Sequence, residues 1–174
     1  MLDRDLAADV LRAARVRGGG FAELYVEERL GISVRLDDGK VEDVTTGLDR
    51  GAGVRVGQGA SFGYAYSNRL DRDALLHAAE AAAAVSDGGP GSVVDLRTLE
   101  APVSHPALVD AASVPTERKV GWVREADEAA RALGAEIRQV TATNADSVQR
   151  LLIATSDGRW VEEVRRRVRR RRAR

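Results

Sequence analysis

The stretch Ser33–Leu76, SVRLDDGKVEDVTTGLDRGAGVRVGQGASFGYAYSNRLDRDALL, decides the fold. Asp38-Gly39 is a two-residue hairpin signal, because a type I′ turn needs a positive φ that Asp and Gly tolerate. Gly47–Gly51 reads as a second break and Gly57-Gln58-Gly59 as a third. Between the breaks the residues alternate. Ile32, Val34 and Leu36 point one way, and Ser33, Arg35 and Asp37 the other. Val54 and Val56 face opposite to Gly53 and Arg55, and Phe62, Tyr64 and Tyr66 form an aromatic row opposite Gly63 and Ala65. A period of two with one apolar face predicts antiparallel strands, packed on one side and wet on the other. The apolar face needs a cover. Asp71 is a good N-cap, with Leu70 and Leu75 placed to form a hydrophobic staple. The helix it starts carries Leu76, Ala79, Ala82 and Ala83 on one stripe.

Outward from this centre, residues 3–17 predict an amphipathic helix lined by Leu6, Val10, Ala13 and Ala14 and ended by Gly18-Gly19-Gly20. A strand follows over Phe21–Leu30, with Leu24 and Val26 opposite Glu23, Tyr25 and Glu27. From Ser86 to Pro115 the periodicity fails; all four prolines lie here, and a long loop is predicted, with a short helical turn near Ala107–Ala112. Thr116 reads as the cap of a helix over Glu117–Leu133, with Trp122, Ala126, Ala129 and Leu133 at helical spacing. Core is favoured for Trp122; Trp160 is a core or interface anchor. Strands return over Glu136–Thr143, Val148–Thr155 and Trp160–Val164, with turns at Asn144-Ala145-Asp146 and Ser156-Asp157-Gly158. The fold class is therefore α+β: antiparallel meander sheets backed by helices. The predicted domain covers 3–164, with sub-parts 3–85 and 116–164 joined by the Pro/Gly-rich loop 86–115. The Arg-rich tail 165–174 is expected to lie outside the fold.

The chain has 174 residues, 44% hydrophobic and 31% charged, enough for one domain with a real core. No apolar run of 18 residues exists to span a membrane, and the Met1-Leu2-Asp3-Arg4-Asp5 start lacks the apolar stretch of a secretory signal, so a cytoplasmic location is expected. The absence of cysteine removes disulfides, thiolate catalysis and Cys-ligated metal. The net charge of zero conceals a split. Residues 165–174 hold eight arginines and no acid, leaving 19 basic against 27 acidic residues elsewhere. The tail reads either as a basic arm for an anionic surface or as the text of a shifted reading frame in GC-rich DNA.

Chemistry-bearing motifs are sparse. A helical zinc peptidase motif needs two His one turn apart with a Glu between them. Here His77 and His105 are separated by a helix and the Pro-rich loop, and His77 has only Glu80 at i+3, so His77 reads as a structural or surface residue. Gly51-Ala52-Gly53 and Gly57-Gln58-Gly59 lead into strands instead of a helix N-terminus, so turns and bulges are expected in place of a phosphate cradle. Ser61 and Ser67 have no base nearby. The Tyr64/Tyr66 row could stack bases, but an acidic body repels phosphate, so a core or interface face is expected and nucleic acid binding is not.

Several segments in order, Tyr25-Val26-Glu27-Glu28-Arg29, Asp49-Arg50-Gly51-Ala52-Gly53-Val54-Arg55-Val56, Gly63-Tyr64-Ala65-Tyr66 and the Leu-Asp helix start, together resemble the N-terminal domain of the TldD/PmbA zinc metallopeptidases. The likeness is closer to the TldD half and continues through Glu117-Arg118-Lys119-Val120 and Ala154-Thr155-Ser156-Asp157-Gly158. It covers residues 3 to about 166. The resemblance implies a non-catalytic domain that shapes the substrate chamber and subunit assembly of a peptidase acting on small or unfolded peptides, paired with a PmbA/TldD-like subunit. It places the zinc and the His-Glu-x-x-x-His motif in a C-terminal domain that these residues do not include. No catalytic, cofactor or metal residue is therefore assigned to this chain. The alternative is a stand-alone interaction module that binds nucleic acid through the tail.

Overall fold

The computed structural model describes residues 2–84, 93, 95–100 and 107–173. Three helices of two turns or more, α1 (Arg4–Ala14), α2 (Arg72–Ala83) and α3 (Thr116–Arg131), accompany strands β1 (Phe21–Asp37), β2 (Lys40–Gln58), β3 (Ser61–Ser67), β4 (Arg97–Glu100), β5 (Thr141–Thr155) and β6 (Arg159–Ala173). The strand order is β3-β2-β1-β5-β6-β4. Two-residue turns at Asp38-Gly39 and Gly59-Ala60 join β1–β2–β3 into an antiparallel meander, with Val54 opposite Ala65. Asp38 and Gly39 both take positive φ, as the hairpin signal requires. The pairing of β4 with β6 is parallel. The α+β class read from the sequence is the observed one.

The strands are fewer and longer than predicted. The chain runs straight through Gly31 in β1 and through Gly47–Gly51 in β2. A glycine permits a turn but does not impose one, and here strand pairing prevails. Asn144-Ala145-Asp146 likewise lies inside β5 and makes no turn. The 165–173 stretch, expected outside the fold, is the outer half of β6. Its arginines find partners: Arg166 meets Asp110 and Arg167 donates to Gln149 Oε1 at 2.8 Å. Thr116 is the first helical residue of α3, not its cap; Pro115 holds the cap position and no side chain bonds there. The predicted helical turn near 107–112 is a 3₁₀ turn at Ala111–Ser113. Most of the predicted 86–115 loop before residue 107, including His105, lies outside the described residues.

Two compact units share the chain in interleaved segments: 1–28, 49–103 and 150–164 form one, and 29–48, 104–149 and 165–174 the other. In the first unit, α1 and α2 cover one sheet face. Asp3 caps α1 through Asp5 N and Leu6 N, and Asp71 caps α2 through Ala74 N. Val10 and Leu11 of α1, Leu75 and Ala79 of α2, Leu24 and Val26 of β1, and Val54 and Val56 of β2 pack into one core with Leu152, Ala154 and Trp160. Leu70 packs against it, as the staple predicts. Trp160 is only 4% exposed, with the Arg4 guanidinium 4.8 Å from its ring centre.

In the second unit, Val34, Leu36, Val123 and Ala142 form a smaller core. The buried face of α3 is Lys119, Val123, Asp127 and Ala130, one residue off the predicted stripe, so Ala129 and Leu133 face solvent and Trp122 is half-buried. Polar residues at the true inner positions shifted the apparent stripe. Among the described residues no helix is long and apolar enough to cross a membrane.

Candidate functional site

The covered face of β2 and β3 takes Ala52, Val54 and Val56 with half-buried Gly63 and Ala65, so alternation sends the aromatic row outward. Phe62, Tyr64 and Tyr66 are 64%, 67% and 78% exposed. Core placement is thereby excluded for this row, which stands on the edge strand of the sheet.

Beside the row lies a cleft of about 400 Å³ within the first unit, with Gly51 and Gly53 contributing from β2. Tyr64 and Tyr66 of β3 and Tyr25 and Glu27 of β1 line it, with Asp49 and Arg50. The glycines make room for it. A Cβ on Gly53 would sit 2.6 Å from the Tyr64 hydroxyl, and one on Gly51 3.0 Å from the Ser67 carbonyl oxygen. Any larger residue at 53 therefore displaces the Tyr64 phenol, which rests across the bare backbone. Tyr25 donates to Glu27 Oε2 at 2.6 Å, fixing both side chains. Nearby, Arg55 pairs with Glu23 at 3.3 Å and lies 5.9 Å from the Phe62 ring centre. Three phenols, two carboxylates and a guanidinium beside a sheet edge suit a flexible, polar chain laid alongside β3.

The remaining residues singled out by sequence stay apart. His77 and Glu80 are both exposed on α2. Among the described residues no three His, Asp or Glu side chains gather where they could hold one ion, and the residues present do not fit a zinc site. Ser61 is exposed, and the Ser67 hydroxyl donates to Arg69 O and accepts from Arg69 N, a turn contact. Sequence reasoning missed a polar cluster in the second unit. Lys119 and Asp146 are 2% and 7% exposed and pair at 2.9 Å, and Asn144 is 1% exposed. The signal was present: Ala142, Asn144 and Asp146 keep the period of two expected of an inner strand face.

The PmbA/TldA metallopeptidase domain 1 family model matches residues 22–86, and the central-domain model of the same family matches residues 110–170. A metalloprotease TldD homolog of Haemophilus influenzae is 26% identical over 148 residues, covering 83% of this chain and 31% of the relative. A second TldD homolog, from Buchnera aphidicola of Acyrthosiphon pisum, is 24% identical over the same share of this chain and 30% of its own length. The chain thus spans about a third of the curated relatives it matches. Among solved structures, a proposed modulator of DNA gyrase from Bacteroides thetaiotaomicron superposes with a TM-score of 0.69 at 17% identity, over 93% of this chain and 38% of that one. TldE from Thermococcus kodakarensis gives 0.66 at 13% identity, over 91% and 36%. These two likenesses share the fold.

Proposed function

Since the chain belongs to the PmbA/TldD metallopeptidase family, we propose that it is a non-catalytic, peptide-guiding part of a TldD-like peptidase acting on small or unfolded peptides. In this reading it lies in the cytoplasm and pairs with a PmbA/TldD-like subunit. The zinc chemistry belongs to the remainder of the full-length relatives. The observation that carries the reading is the tyrosine-lined cleft beside β3, the edge strand of the described sheet. An extended peptide can bond to that edge through its backbone, which gives affinity with little sequence demand. Tyr25, Tyr64 and Tyr66 offer flat faces to passing side chains, and Glu27 and Asp49 favour cationic ones.

Fluorescence anisotropy of a labelled, unstructured, lysine-containing peptide tests this. The expected outcome is binding by the native chain and a loss of roughly tenfold in Tyr64→Ala, corresponding to about 1.4 kcal/mol. Gly53→Ala should weaken binding similarly, because its new Cβ displaces the Tyr64 phenol. Native affinity in Tyr64→Ala and in Tyr66→Ala would overturn the assignment of the cleft.

A further inference from the structure

The second unit holds a partly open cavity of about 210 Å³ between α3 and the ends of β5 and β6. Trp122, Val123, Ala126 and Ala142 give it apolar walls, and Asn144, Arg170 and Arg171 line its polar side. Asn144 is almost wholly buried, and its Nδ2 is the buried side-chain donor left without a partner among the described residues. Turning the amide over does not relieve this. Arg170 Nε donates to Asn144 Oδ1 at 3.2 Å, and a guanidinium can only donate, so the oxygen must face the arginine. Arg170 is held from a second side, with its guanidinium carbon 4.0 Å from the Trp122 ring centre. Among the described residues neither Arg170 nor Arg171 pairs with a carboxylate, whereas Arg166 does. Two guanidinium groups and an orphaned amide N–H therefore line one small, largely apolar space.

We propose that this cavity is a binding site for a small organic carboxylate. One carboxylate oxygen answers Asn144 Nδ2, and the other meets the Arg170–Arg171 pair; the body of the ligand fills the space beside Trp122. A neutral carbonyl would answer the asparagine but leave the exposed Arg170 and Arg171 guanidinium groups to water alone. A single water could accept from Asn144 and an arginine but would not fill a cavity of about 210 Å³ with its apolar walls. A free phosphate would leave the apolar walls uncovered. The same chemistry is offered by a free acid and by the C-terminus of a peptide. The inference stands independently of the tyrosine cleft, which lies in the other unit.

The test is an NMR titration of the full chain with benzoate, with N-acetyl-alanyl-phenylalanine, and with the C-terminal amide of that dipeptide. The two tryptophans give two indole N–H signals, from Trp122 and Trp160. The expected result is that the acids move the Trp122 signal and leave that of Trp160 in place, with the amide at least about tenfold weaker. Response to benzoate alone assigns the site to free acids; response to the dipeptide acid alone assigns it to peptide C-termini. Asn144→Asp should abolish the response while raising Tm, because the new carboxylate pairs with Arg170, removes the orphaned donor and repels the ligand. Arg170→Gln, checked for folding by circular dichroism, should also lose it. Equal binding of acid and amide, an unchanged titration in both variants, or no shift from either acid at about 10 mM overturns the proposal.

Discussion

Lys119 and Asp146 bring opposite charges into the second unit with almost no access to water. Desolvating both ions offsets much of their attraction, so such a pair contributes little net stability while remaining costly to break. Lys119→Met should therefore destabilise the fold by about 3–5 kcal/mol, because Asp146 is left charged and alone. Lys119→Met with Asp146→Leu should recover most of that loss. Urea denaturation of the two variants and the native chain checks both values; a double variant as unstable as the single one would show that the pair contributes stability of its own. Neither residue was legible as a partner in the sequence. Lys119 is one of two lysines in the chain, and Asp146 sat in an Asn-Ala-Asp triplet whose composition suggests a turn. Residue type spoke for a loop while the alternation of the flanking positions spoke for a strand, and the alternation was right. Gly53 is a second case: Gly51-Ala52-Gly53 suggested a turn or bulge, whereas Gly53 runs in register inside β2 with the Tyr64 phenol against its bare backbone.

Among the elements, the helices were most legible, because their start signals are local. Asp3 and Asp71 cap α1 and α2 through their own side chains. The Asp71 carboxyl lies below the ordinary carboxylate range, first because it accepts from the Ala74 backbone N–H and then because Arg69 bonds to it. Asp37 and Asp9 are lowered too, Asp37 mainly by the Thr141 hydroxyl and Asp9 mainly by Arg72. A carboxyl lowered on folding contributes stability that is fully present above its unfolded value. That stability is lost as pH falls through the folded value. Thermal melts should therefore show a plateau above about pH 5 and a fall below about pH 4. Asp71→Ala should lower Tm at neutral pH and make the acid fall shallower. An acid fall as steep as the native one would show that the Asp71 carboxyl does not hold the helix start. Strand length was the least legible property. Gly31, Gly47 and Gly51 carry turn chemistry, but pairing with neighbours distant in sequence overrides it.

For the whole molecule, β3 is one edge of the strand order, and among the described residues β4 pairs with β6 from Arg159 to Glu162. Open edges template pairing with other chains. The arginines of β6 oppose such pairing between copies, and salt screens that repulsion over about 8 Å at physiological strength. Light scattering across a salt series should therefore show association rising with salt. A fall with salt would instead indicate that arginines of one copy grip acidic residues of the next. The arginine run has another consequence. A strand normally stores its alignment in the difference between its two faces, so that a one-residue slip exposes the wrong letters. From Arg165 to Arg171 only Val168 differs from its neighbours, and a slip there trades arginine for arginine. This part of β6 holds almost no positional information of its own. Its alignment is borrowed from buried Trp160 upstream and from single bonds such as Arg167 to Gln149 and Arg170 to Asn144. A strand written in one letter can be read in only one frame while those few marks stay in place.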